Sequence, residues 1–145
     1  MSDEVLNSQE YSSGVAAFES KNFSLAMQYL SPLADAGDAD AQHRVAIMCQ
    51  NGLGVVKNEV RAFKMMQAAA EQGYDIAQHG LGFMYMEGEC VEKDSAKAVE
   101  WFQKAAEQGL AGSLTTLAMM YEEGNGVEKD PAEAKRLYAL AGFEM

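Results

Sequence analysis

The chain has 145 residues, 48% of them hydrophobic, with only two prolines and a formal net charge of -11. That balance supports a largely helical core and excludes a nucleic-acid footprint or attraction to an anionic membrane surface. The acidity favours solubility and would draw a basic protein partner.

In chain order, the first unit spans residues 7–37 as a helix pair with a short loop, carried by Gly14, Phe18, Phe23, Ala26 and Leu30. Pro32 falls inside its second helix, where loss of an N–H predicts a kink or interruption. The second unit, 41–76, ends its first helix at Gly52 and starts its second at Asn58, an N-cap. In the third, 77–112, Ala77, Leu81, Met84 and Tyr85 have helical spacing. Gly88 then ends that helix and Asp94 caps the next, which runs from Ser95 to about Gln108 with Ala98, Trp101, Phe102 and Ala105 on one face. The fourth, 113–145, holds Asp130-Pro131-Ala132-Glu133, which reads as N-cap, N1 proline and capping-box carboxylate. Its last helix is expected to run to about Phe143, with Leu137, Tyr138, Leu140 and Phe143 available for self-association through the C-terminal helix.

The units share a period. Gly52, Gly88 and Gly124 recur every 36 residues, as do Val55, Val91 and Val127, and Lys57, Lys93 and Lys129. Small residues recur where helices must approach closely, at Ala46, Gly82 and Ala118 and at Ala62, Ala98 and Ala134. Such a period denotes one repeat domain over 1–145, an array of stacked helix-turn-helix units. Arrays of this kind present a binding face in place of a catalytic cleft.

The stretch from Leu81 to Gly109, with Gly82, Tyr85, Gly88, Val91, Lys93, Asp94, Ala98, Trp101, Phe102, Ala105 and Ala106, resembles the Sel1-like repeat, a relative of the tetratricopeptide repeat. Three copies cover about 41–145; the first unit looks more like a tetratricopeptide repeat. The resemblance implies an all-α right-handed superhelix of about four units, with A helices lining a concave face. It also implies non-catalytic protein binding, often in bacteria. Cys90 departs from the pattern by replacing the loop glycine seen at Gly54 and Gly126.

Outside the core positions, the A helices leave one further face: His43, Ile47 and Gln50, then His79, Phe83 and Met86, then Thr115, Met119 and Glu122. Ile47, Phe83 and Met119 form an apolar stripe, read either as a ridge that takes a partner segment or as side chains covered by neighbouring helices. The expected partner-binding set is His43, Ile47, His79, Phe83, Met86, Thr115, Met119 and Glu122. Met48, Met84 and Met120 read as core, and so do Trp101 and Phe102.

Nothing in the sequence specifies an enzyme, cofactor or metal. His43 and His79 on successive helices stand about 8–10 Å apart by helix-packing distance, too far to close a zinc site alone. Gly52-Leu53-Gly54 lacks the remainder of a phosphate loop. Cys49 and Cys90 sit at non-equivalent positions and form no disulfide framework. With no basic or apolar leader at Met1-Ser2-Asp3-Glu4-Val5, a cytoplasmic location is expected. The expected function is an adaptor or regulatory module that binds a protein or peptide in its groove. The alternative is a small acidic immunity or inhibitor protein that masks a basic toxin or effector.

Overall fold

A computed structural model of the chain describes residues 3–143, with side chains from residue 8 onward. Among the described residues there are eight α-helices and no strand. They fall into two compact units, Met1–Gln72 and Gly73–Met145. Unit 1 contains α1 (Asp3–Glu19), α2 (Phe23–Asp35), α3 (Ala39–Asn51) and α4 (Glu59–Glu71). Unit 2 contains α5 (Asp75–Glu87), α6 (Ser95–Glu107), α7 (Ala111–Glu123) and α8 (Pro131–Leu140). Within each unit every helix packs on the next, so each unit is two helical hairpins.

The second helix of every hairpin is started by a side-chain cap. Asn22, Asn58, Asp94 and Asp130 accept from the backbone N–H three residues on, satisfying donors that the helix leaves orphaned. Pro131 stands in the first turn of α8, but Glu133 does not complete a capping box. The Asp130 N–H donates to Tyr121 O at 2.9 Å, and the Glu133 carboxylate receives Arg136 one turn further on. Nor does Pro32 interrupt α2, which continues to Asp35. Pro32 has no N–H to give to the Gln28 carbonyl one turn earlier, but Leu30, Leu33 and Ala34 are buried on either side of it, so packing carries the helix through. At the other end of the chain, α8 is shorter than expected. It stops at Leu140, Gly142 turns at φ +100°, and Phe143 donates its N–H to Tyr138 O.

The hairpin loops explain the period. Three helices stop at a left-handed glycine, Gly52, Gly88 or Gly124, and each loop then returns to the preceding helix through an N–H from Asn58, Asp94 or Asp130. The loop between α1 and α2 is four residues shorter, so its unit is offset by 32 residues where the others repeat at 36. Two residues into the long loop, Gly126 brings its backbone against Ser95, where a Cβ would stand 2.4 Å from the Ser95 carbonyl oxygen. Cys90 keeps the same left-handed conformation at φ +65°, a strain of about 1–2 kcal/mol for a residue with a side chain.

The core is assembled from small residues against large ones. Ala46, Ala118, Ala62, Ala98 and Ala134 are buried, as are Met48, Met84 and Met120. Gly82 leaves space for Phe102: a Cβ there would stand 2.8 Å from the Phe102 ring, which is fully buried. Trp101 is only half-buried, with the Lys104 ammonium 5.5 Å from its ring centroid. The core therefore uses Phe102 and leaves one side of Trp101 to solvent.

A polar device joins consecutive hairpins in each unit. The Gln72 amide donates to Gly37 O at 2.9 Å and to Gln42 Oε1 at 2.8 Å. In unit 2, Gln108 donates to Gly73 O at 3.0 Å and to Gln78 Oε1 at 2.9 Å. Gln42 and Gln78 are buried, so these bonds satisfy amides that would otherwise cost about 1–3 kcal/mol.

Candidate functional site

The first helix of each hairpin presents the face on which the expected binding residues lie. In unit 1 that face belongs to α1 and α3. With the 32-residue offset, Tyr11, Val15 and Phe18 of α1 correspond to His43, Ile47 and Gln50 of α3. Tyr11 donates its hydroxyl to Asp40 Oδ2 at 2.5 Å, and Arg44 Nε donates to the same oxygen at 2.8 Å. The Arg44 guanidinium lies 4.9 Å from the Phe18 ring centroid, a cation over an aromatic face. Burial, reinforced by the Asp40 contact, pushes the Tyr11 phenol up to about 12. Burial also holds His43 below the usual imidazole range; Asp40 opposes that shift and Arg44 adds to it. Ile47 is half-buried.

In unit 2 the same face belongs to α5 and α7 and is built from rings and thioethers. His79, Phe83 and Phe102 meet edge to face, with centroids 4.9, 5.4 and 5.2 Å apart. His79 Nδ1 lies 2.7 Å from the hydroxyl of the buried Ser113, a partner that suits either tautomer because a hydroxyl both donates and accepts. Burial holds His79 below the usual imidazole range. Phe83 is thus both packed and open, 37% exposed over Phe102. Met119 is 46% exposed. The stripe is neither a free ridge nor a covered core; its outer edges stay in solvent while its inner edges pack.

Between α5 and α7 lies an open cavity of about 320 Å³. Phe83, Met86, Met119 and Met120 supply its apolar lining, while Glu87, Glu123 and Lys93 bring charge. Thr116 also lines it, but its hydroxyl is already donated to Gly112 O at 2.9 Å; Thr115 similarly donates to Ala111 O. Of the expected residues, Phe83, Met86 and Met119 line this cavity. His79 lies beneath Phe83, Thr115 is half-buried on α7 outside the cavity lining, and Glu122 is exposed on the last turn of α7. His43 and Ile47 belong to the face of unit 1.

Sequence reasoning missed Tyr11 and Phe18 as members of this face because a 36-residue step does not reach them. The short loop after Glu19 was the available signal. Asp40 and Arg44 were missed because their partners are a tyrosine 29 residues away and a ring on another helix. Among the described residues, no group of three or more His, Cys, Asp or Glu could hold a metal ion. No described helix is long and apolar enough to cross a membrane.

Two-helix repeats stacked on buried small residues, with a variable face on the first helix of each, define an all-α helical-repeat protein. The chain belongs to the Sel1 repeat family, whose model matches it four times, at residues 9–38, 39–74, 75–110 and 113–142. The first unit therefore matches the same repeat, despite its shorter loop and its likeness to a tetratricopeptide unit. No curated protein matches the chain. Among solved structures, a Sel1 repeat protein from Oxalobacter formigenes matches at 32% identity and TM-score 0.86, covering 91% of this chain and 53% of that one. A protective antigen of uropathogenic Escherichia coli with an SLR fold matches at 40% identity and TM-score 0.78, covering 79% of this chain and 25% of that one. The chain thus spans about half the length of the first of these proteins and about a quarter of the second. Cysteine rich protein B of Helicobacter pylori shares the fold at 21% identity and TM-score 0.65, covering 83% of this chain and 86% of that one. Sel1 repeats generally serve protein–protein interaction, and proteins built from them are generally non-catalytic.

Proposed function

We propose that this chain is a non-catalytic interaction module that binds a protein segment on the α5–α7 face of unit 2. The observation that carries this reading is the open cavity lined by the half-exposed Phe83 and Met119. Exposed aromatic and methionine side chains supply affinity through buried apolar area, and thioethers adapt to the shape of an incoming side chain. The neighbouring polar groups supply register. Membership of a family that generally binds proteins supports the class of function.

The test is capture of partners from the native cell extract by the immobilised chain, comparing wild type with Phe83→Ala, Met119→Ala and Val56→Ala. Val56 is exposed on a loop of unit 1 and serves as the control. A partner retained by wild type and Val56→Ala but lost from both unit 2 variants is expected. Retention by all four chains would move the binding site away from this face. Melting curves guard the comparison, because Phe83→Ala removes partly buried ring area and should cost about 1–2 kcal/mol.

A further inference from the structure

Resting on that reading, we infer that the unit 2 cavity takes an arginine side chain presented by the partner, its guanidinium over Phe83 and paired with Glu87 and Glu123.

The argument comes from comparing equivalent positions in the two units. Taking the offset of the first loop into account, Phe18 corresponds to Met86, Val15 to Phe83 and Arg44 to Thr116. In unit 1 the space between the two first helices is occupied from within. Arg44 rises from α3, reaches the carboxylate of Asp40 and lays its guanidinium over the Phe18 ring. In unit 2 the corresponding residue on α7 is Thr116, several atoms shorter, with its hydroxyl turned back to its own helix. The space that an arginine fills in unit 1 is therefore open in unit 2.

The lining that remains suits the same kind of group. Phe83 offers an aromatic ring whose outer side is in solvent, and Met86 and Met119 offer apolar surface for a methylene stem. Glu87 and Glu123 line the cavity, and neither is in an ion pair among the described residues. Lys93 also lines the cavity, but the carboxylates outnumber it, and the whole chain carries a net charge of -11. A planar guanidinium can use a ring and two carboxylates together; an ammonium can do so less well, because it presents a compact, strongly hydrated charge.

Fluorescein-labelled Gly/Ser nonapeptides carrying Arg-Leu-Arg, citrulline-Leu-citrulline or Glu-Leu-Glu at the centre test this on the whole chain. Binding is read by fluorescence anisotropy, and its location by NMR of methionine methyls. The arginine peptide is expected to shift the methyls of Met86, Met119 and Met120 and to bind roughly tenfold more tightly than the citrulline peptide, which keeps the shape and loses the charge. The double variant Glu87→Gln with Glu123→Gln, at two exposed positions, should abolish that preference without altering the melting curve.

Equal binding of arginine and citrulline, arginine binding that leaves these methyls unmoved, or no binding at millimolar peptide would each overturn the inference. The interaction-module reading fails separately, through retention of captured partners by Phe83→Ala and Met119→Ala. Loss of partners there, combined with indifference to citrulline here, would leave the face as the binding site and remove arginine as its ligand.

Discussion

In unit 1 the face between the first helices is closed by its own ions: Tyr11 and Arg44 converge on Asp40, and Arg44 covers Phe18. In unit 2 the equivalent face has glycine at 112 in place of Asp40 and threonine at 116 in place of Arg44, and the space is left to Phe83, Met86 and Met119. His79 lies against Gly112, where even a Cβ would stand at 3.4 Å from the imidazole Cε1, in ordinary contact. The frame beneath is shared, with a side-chain cap on every second helix, Asn in unit 1 and Asp in unit 2, and the same paired glutamines. One repeat frame therefore carries a self-satisfied face and an open one, and the choice rests on two or three side chains.

Three measurements would break or sharpen that contrast. The largest effect should come from Phe102→Ala. Phe102 is fully buried beneath His79 and Phe83 and fills the space that Gly82 leaves. Its loss should cost about 3–5 kcal/mol in a denaturant titration, and should collapse the Phe83 face as well. A cost below about 1 kcal/mol would mean that the open face does not depend on the core ring.

A smaller effect is expected from pH. His43 in unit 1 and His79 in unit 2 are both held below the usual imidazole range, in each case chiefly by burial. As pH falls through about 6.5, the unfolded chain takes up protons before the folded chain does, so stability is lost. The loss continues until the folded imidazoles are themselves protonated. The melting temperature should therefore be lower at pH 5.5 than at pH 7.5, and His43→Gln or His79→Gln should each flatten part of that slope. A melting temperature that rises on acidification would contradict the burial of both rings.

The smallest effect on stability, and the sharpest test of unit 1, lies in Tyr11. Its phenol is pushed up to about 12 by burial and by Asp40. Asp40→Asn should bring its spectrophotometric titration back toward 10, at a stability cost of about 1 kcal/mol. An unchanged titration would mean that the carboxylate does not close this face.

Much of the frame was legible in the sequence because it depends on local rules. A glycine that ends a helix, a polar cap a fixed distance later and an alanine at each crossing are properties of backbone geometry, and they repeat whenever the geometry repeats. Gly88, Asp94 and Ala98 could be placed without any neighbour. The capping role given to Glu133 and the break expected at Pro32 were also local readings. The capping box failed because Arg136 claims the carboxylate and Tyr121 O takes the Asp130 N–H, and α2 was not interrupted because the buried Leu30, Leu33 and Ala34 hold it through Pro32 to Asp35.

The site was legible only in part. The 36-residue step identified Phe83, Met86 and Met119 as one face. It passed over Tyr11 and Phe18, because a loop shorter by four residues shifts the register. The sequence by itself determined the repeat, its caps, its small-residue crossings and its acidic character, all of which follow from backbone geometry and composition. The tertiary structure alone decided that Arg44 folds onto Phe18 while Thr116 turns back to its own helix. Whether a face is filled or open depends on side-chain reach between helices, and that is a distance in space with no fixed spacing along the chain.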